Sequence, residues 1–172
     1  MYKRQAQGIQ EHVLLVDCDL RKPSLNKMLG YSNAEGLFEY LTGKRELPDL
    51  IINTRIEKLS LLVAGRSFSH PGDLLASKKM KQFLQEVKGR YGDRFVILDS
   101  TPTQITAETS VLANYVDKVI FVVMAQKSPR EIIQRSIENL GKKKVLGIVF
   151  NGYSQSRKPY YKYYKRYYNK TT

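Results

Sequence analysis

Short apolar runs rich in branched side chains recur along the chain: HVLLV at 12–16, LSLLVA at 59–64, FVILD at 95–99, KVIFVV at 118–123 and VLGIVF at 145–150. Each is short and almost unbroken in its hydrophobicity, the pattern of a strand buried on both faces. Between these runs the period changes. GDLLASKKMKQFLQEVKG sets Leu75, Met80, Phe83, Leu84 and Val87 along one broad face and predicts a helix that stops at Gly89. SPREIIQRSIENLG predicts another, with Ser128 as cap, Pro129 at the first helical position, Glu131 completing a capping box and Gly141 closing the helix. Strands alternating with helices predict an α/β fold, a mostly parallel sheet with helices on both faces. After Asn151 no Ala, Val, Leu, Ile or Met remains, and GYSQSRKPYYKYYKRYYNKTT reads as tail rather than core.

Composition narrows the setting. A chain of 172 residues with 42% hydrophobic content can bury one sizeable core. No run approaches the roughly 20 apolar residues that span a bilayer, and nothing resembles a secretory signal. The single Cys18 excludes an internal disulfide and fits a reducing cytoplasm. His12 and His70 stand far apart beside no second ligand type, so no structural metal site is expected. The first five residues, MYKRQ, match what a sequencing-library transposon end encodes, and 1–5 are set aside as an adaptor artefact. The natural protein is then expected to start upstream. The globular part is taken as 6–152 and the tail as 153–172.

Charge changes the picture at one end. No Asp or Glu follows Glu138, and the residues beyond it carry nine of the 13 net positive charges. A polyanionic partner is therefore a question about the tail.

The candidate chemistry lies where strands end. Ligands of open α/β sheets bind beyond the carboxyl ends of the strands. One run leads into Asp17-Cys18-Asp19-Leu20-Arg21-Lys22-Pro23, another into Asp99-Ser100-Thr101-Pro102. Carboxylates at that edge suit Mg²⁺, a hard ion that takes few protein oxygens and keeps waters. Arg21 and Lys22 have the chemistry to hold phosphate charge or a neighbouring acidic surface. The plain alternative is that one Asp caps a helix and another forms an ion pair. Two acidic motifs on separate strands of one sheet favour the ligand.

These residues carry a resemblance. LLVDCDLRKP resembles the second Walker A motif (hydrophobic run, D-x-D-x-R) of bacterial tyrosine kinases, and VILDSTP resembles their Walker B (hydrophobic run, D-x-x-P). The text between, GLFEYLTGKRELPDLIINTRIEKLSLLVAGRSFSHPGDLLASKKM, is similar to the branch associated with exosortase and exopolysaccharide loci. The likeness runs over about residues 8 to 168 and ends in the tyrosine cluster. It implies a P-loop NTPase-like fold related to the partition ATPases, with ATP and Mg²⁺ as cofactors. It also implies roles. Asp17 would help hold Mg²⁺, Asp99 would support the metal through water, and Asp19 would prepare the attacking tyrosine hydroxyl. Arg21 joins this catalytic group, while Asn151 would meet the adenine and Pro102 the nucleotide. Thr101 stands where the family more often has proline. Implied partners are neighbouring copies in a ring and an inner-membrane polysaccharide co-polymerase, with the kinase cytoplasmic and peripheral at that membrane.

One expected part is missing from the sequence. No G-x-x-x-x-G-K-[ST] loop occurs, although such a loop's amides and lysine neutralise the β and γ phosphates. It is expected roughly 20 to 25 residues before Asp17, with a strand and a helix. Its loss removes several kcal/mol of electrostatic stabilisation, so the chain alone is expected to be inactive. A sheet lacking that strand is also expected to expose an edge and to aggregate.

The tail KPYYKYYKRYYNKTT holds Tyr160, Tyr161, Tyr163, Tyr164, Tyr167 and Tyr168 among basic residues. A disordered terminus suits its low aliphatic content. Wound as a helix, it would be aromatic on one side and cationic on the other, suited to anionic lipid. Stacking rings among cations suit single-stranded nucleic acid, but nothing else resembles such a module, and nucleic acid is not expected. As phosphoacceptors, six phosphotyrosines would add roughly −9 to −12 charges to a segment carrying +6 and reverse its sign. The sequence is thus expected to encode an ATP-dependent protein-tyrosine autokinase that regulates exopolysaccharide assembly. The alternative is a partition- or cell-division-type ATPase switch anchored to membrane or nucleic acid by its tail.

Overall fold

The computed structural model describes residues 12–32, 34–92, 94–102, 108–125 and 127–153. The strand expected from HVLLV forms as β1 (His12–Asp17). It is followed by three short helices, α1 (Leu25–Leu29), α2 (Leu37–Leu41) and α3 (Leu47–Leu50). Then come β2 (Ile52–Asn53), β3 (Leu59–Leu62), α4 (Pro71–Leu75), α5 (Lys78–Arg90), β4 (Arg94–Asp99) and α6 (Glu108–Tyr115). β5 (Val119–Met124), α7 (Arg130–Leu140) and β6 (Val145–Asn151) complete the order.

The chain divides into two units, at Asp117/Lys118. In the first, a four-stranded sheet runs β2-β3-β1-β4. β1 is parallel to both β3 and β4, and only the two-residue β2 is antiparallel. Alternation along β1 serves two cores. Leu14 and Val16 pack with residues of α2, α3, α4, α5 and α6, whereas Val13 and Leu15 pack with Leu25, Leu59, Leu61 and Val63. That is the expected sheet with helices on both faces, and it explains why HVLLV shows no polar alternation. The first turn of α2 docks on the chain beyond β3: Leu37 and Phe38 donate their N–H groups to the Val63 and Ala64 carbonyls, at 2.8 and 2.9 Å. A side chain at Gly36 would overlap the Val63 carbonyl, so only glycine allows this approach.

In the second unit β5 and β6 pair in parallel. The described strands thus form two hydrogen-bonded ladders, both mostly parallel, as expected. Among them, β4 has a partner only on its β1 side. Phe95 and Ile97, in register with buried Val13 and Leu15, are 53% and 37% exposed. Among the described strands, β4 thus lies at the edge of its ladder and carries two exposed apolar side chains.

Two helix expectations need correction. The helix expected across 72–89 is two helices, broken at Ala76–Ser77, because the Ser77 hydroxyl accepts the Met80 N–H at 3.2 Å and starts α5 afresh. Gly89 does not stop it; α5 runs through to Arg90. α7 begins at Arg130 with Pro129, not Ser128, in the capping position and no side-chain cap bond. Proline's fixed φ suits either place, which is why the boundary shifted by one residue. Gly141, at φ 86°, closes α7 as expected. No helix among the described residues is long and apolar enough to cross a membrane.

Candidate phosphoryl-transfer site at two strand ends

Asp17 and Asp99 end β1 and β4 at paired register positions. The ladder continues one step beyond them, where the Cys18 N–H donates to the Asp99 carbonyl at 2.8 Å. Asp17 is fully buried. Its Oδ1 accepts the Asp19 N–H at 3.0 Å, and its Oδ2 accepts the Leu25 N–H at 3.3 Å, at the start of α1. Burial nevertheless pushes its pKa up to about 6, against the pull of these bonds and with the help of the nearby Asp99 charge. Burial also raises Asp99, and the Asp19 charge adds to the effect. The three carboxylates therefore share one electrostatic neighbourhood.

Asp19 shapes the loop that carries it. Its Oδ1 accepts the N–H groups of Arg21 at 3.2 Å and Lys22 at 2.8 Å. The Leu20 carbonyl accepts the Phe68 N–H at 2.8 Å, and the Arg21 carbonyl accepts the Ser67 hydroxyl at 3.0 Å. Cys18 is buried, and its thiol pKa is driven up by desolvation. The Arg21 side chain turns to Glu108, with its Nη2 2.7 Å from Glu108 Oε1. The D-x-x-P loop is held by the next residue of the same helix. The Thr109 hydroxyl donates to the Thr101 carbonyl at 2.7 Å and lies 2.9 Å from the Ser100 hydroxyl. Thr101, in the place where proline was expected, is buried in this contact, while Pro102 is exposed.

The motif residues were legible in the sequence; the helix that binds their loops was not. Glu108 and Thr109 went unremarked because no strand end or motif contains them. The available signal was an acidic residue beginning a helix shortly after D-x-x-P. Asn151 ends β6 in the second unit, exposed, with its Oδ1 accepting the Gly152 N–H at 3.0 Å. The six tail tyrosines lie outside the described residues.

Among the described residues no three His, Cys, Asp or Glu side chains are grouped to hold a metal ion unaided. Two desolvated carboxylates side by side do fit Mg²⁺, which commonly takes one or two carboxylates and completes its shell with phosphate oxygens and water.

No protein-family model matches the chain. It is 30% identical to the VpsO kinase domain, a solved structure, at a TM-score of 0.80 over 88% of this chain and 74% of that one. It is also 32% identical over 154 residues to the tyrosine-protein kinase YwqD of Bacillus subtilis (strain 168), covering 88% of this chain and 64% of that protein. The chain belongs to the bacterial tyrosine kinase family. A putative tyrosine-protein kinase of Staphylococcus aureus, CapB, is 30% identical over 153 residues, covering 88% of this chain and 66% of its own. The chain therefore spans just under two thirds of the length of these curated relatives. The fold extends beyond the family. The septum site-determining protein MinD of Pyrococcus horikoshii, solved in complex with Mg-ADP, is 24% identical at a TM-score of 0.67 over 85% of this chain and 60% of that one.

Proposed function

We propose that this chain is the larger part of an ATP-dependent protein-tyrosine kinase that phosphorylates its own C-terminal tyrosines, between neighbouring subunits, and so regulates exopolysaccharide assembly and export. The observation that carries the reading is the pairing of Asp17 with Asp99 at adjacent strand ends, with Asp19 in the same field. Asp17 and Asp99 would hold Mg²⁺, which would supply positive charge to offset the negative charge developing on the transferred group. Asp19 would accept the proton of the attacking tyrosine hydroxyl. Its Oδ1 is occupied by two backbone donors, which hold the carboxylate in one orientation. Asn151 and Pro102 would contact the nucleotide.

Tyr160, Tyr161, Tyr163, Tyr164, Tyr167 and Tyr168 would be the acceptors. The 13 residues from Asn151 to Tyr164 span at most about 45 Å when extended, enough to reach another subunit. Modification would reverse the tail's charge and release it from an acidic partner or lipid surface. A ring of unphosphorylated copies beside an inner-membrane polysaccharide co-polymerase is the assembly this implies. The phosphate-cradling lysine loop would come from upstream sequence, and the 172-residue chain alone would be inactive.

The test is expression of the complete reading frame followed by phosphotyrosine staining. Staining is expected on the wild type and not on a variant with the six tail tyrosines changed to Phe. Staining that survives that change would refute the acceptor assignment. No staining at all, with ATP-dependent membrane binding instead, would favour a switch ATPase.

A further inference from the structure

Glu108 is 95% buried, yet it ends up beside a half-exposed arginine. One of its oxygens receives the Arg21 guanidinium, and the other has no partner among the described residues. A buried carboxylate with half its capacity unused is costly to keep, and an amide or an apolar residue in its place would cost less. Its neighbour Thr109 grips the Ser100–Thr101 segment directly after Asp99. Arg21, whose N–H bonds Asp19, belongs to the loop directly after Asp17. Two consecutive residues of α6 therefore clasp the two acidic loops, one each.

We propose that Glu108 is a positioning residue: through its ion pair with Arg21, it fixes the loop bearing Asp17 and Asp19 relative to Asp99, and so sets the spacing of the carboxylates for a divalent cation. The inference rests on the reading above that these carboxylates hold a cation. It also gives Arg21 a further role. A guanidinium held by Glu108 orients the loop through its own backbone, a structural role beside any charge it offers phosphate. Ligand carboxylates are spaced by their outer partners, and loss of such a partner costs roughly tenfold or more in metal affinity.

The probe is Mn²⁺ alone, titrated calorimetrically into the 172-residue chain, with urea unfolding of every variant alongside. Wild type is expected to bind, and Asp17→Asn to abolish binding. Glu108→Gln and Arg21→Gln are each expected to weaken Mn²⁺ about tenfold, and Arg21→Lys, which keeps the charge, to recover much of the loss. Because Arg21 is half-exposed, its variants carry the test if Glu108→Gln fails to fold. Should both Gln variants lose stability but bind Mn²⁺ within twofold of wild type, the positioning role is overturned and the cation site stands. Should wild type bind no Mn²⁺, or Asp17→Asn bind as well as wild type, the cation reading falls and the positioning role with it.

Discussion

Asp17 and Asp99 sit opposite one another in the β1–β4 ladder, and burial raises the pKa of both. A folded chain that forces two acids together at neutral pH is holding a destabilising arrangement, which suits a site built for a cation.

The pH dependence follows from that relationship. The folded pKa of Asp17, about 6, lies above its ordinary 3.8, so the folded state favours the protonated acid. Its contribution is neutral below the ordinary value and becomes a penalty as pH rises through about 6. In metal-free buffer, Asp17→Asn is expected to raise unfolding stability at neutral pH by at most about 3 kcal/mol, less the acceptor lost to the Leu25 N–H, and to flatten the decline above pH 4. Urea midpoints measured across that range check it. A less stable variant at neutral pH would show that ionised Asp17 is not strained.

Helix α5 gives a second prediction. The Ser77 hydroxyl caps it through Met80, and Ser77→Ala is expected to cost about 1 kcal/mol. Gly89 has open space around its Cβ position within that helix. Gly89→Ala is accordingly expected to gain about 0.5 kcal/mol. Chemical denaturation of the two variants separates the signs.

Gly36→Ala is expected to be far more damaging. The added methyl would meet the Val63 carbonyl and the Gly65 amide, both backbone, which cannot swing aside. A loss of about 3 kcal/mol or more, or failure to accumulate as folded protein, is the expected result. A thermal midpoint near wild type would show that α2 shifts off β3 easily.

Phe95 and Ile97 make the fourth case. Among the described strands β4 pairs only with β1, and a strand with a free side and exposed apolar residues promotes association. Phe95→Lys with Ile97→Thr is expected to slow aggregation on concentration, with the circular dichroism spectrum unchanged. Light scattering against protein concentration reads the effect.

Much of this was legible from the chain. Unbroken apolar runs gave β1, β3, β4, β5 and β6. β1 beyond His12 and β3 are buried on both faces, as such runs predict, whereas β4, β5 and β6 each leave apolar side chains exposed. The acidic motifs were visible because sequence brings Asp17 and Asp19 within one loop. The clasp was not. Arg21 and Glu108 are 87 residues apart, and no local pattern pairs a loop arginine with a distant helix start. The break at Ser77 was missed for a different reason: the apolar period of Leu75, Met80 and Phe83 crosses it without interruption, so only the hydroxyl betrays a second start.

Cys18, sealed between the two aspartates and the only thiol in the chain, supplies a built-in clock. A maleimide or disulfide reagent reaches it only when the loop lifts off the sheet, so its labelling rate counts openings of that one region. Watched with and without Mn²⁺, the same sulfur would tell how often an occupied centre lets go compared with an empty one.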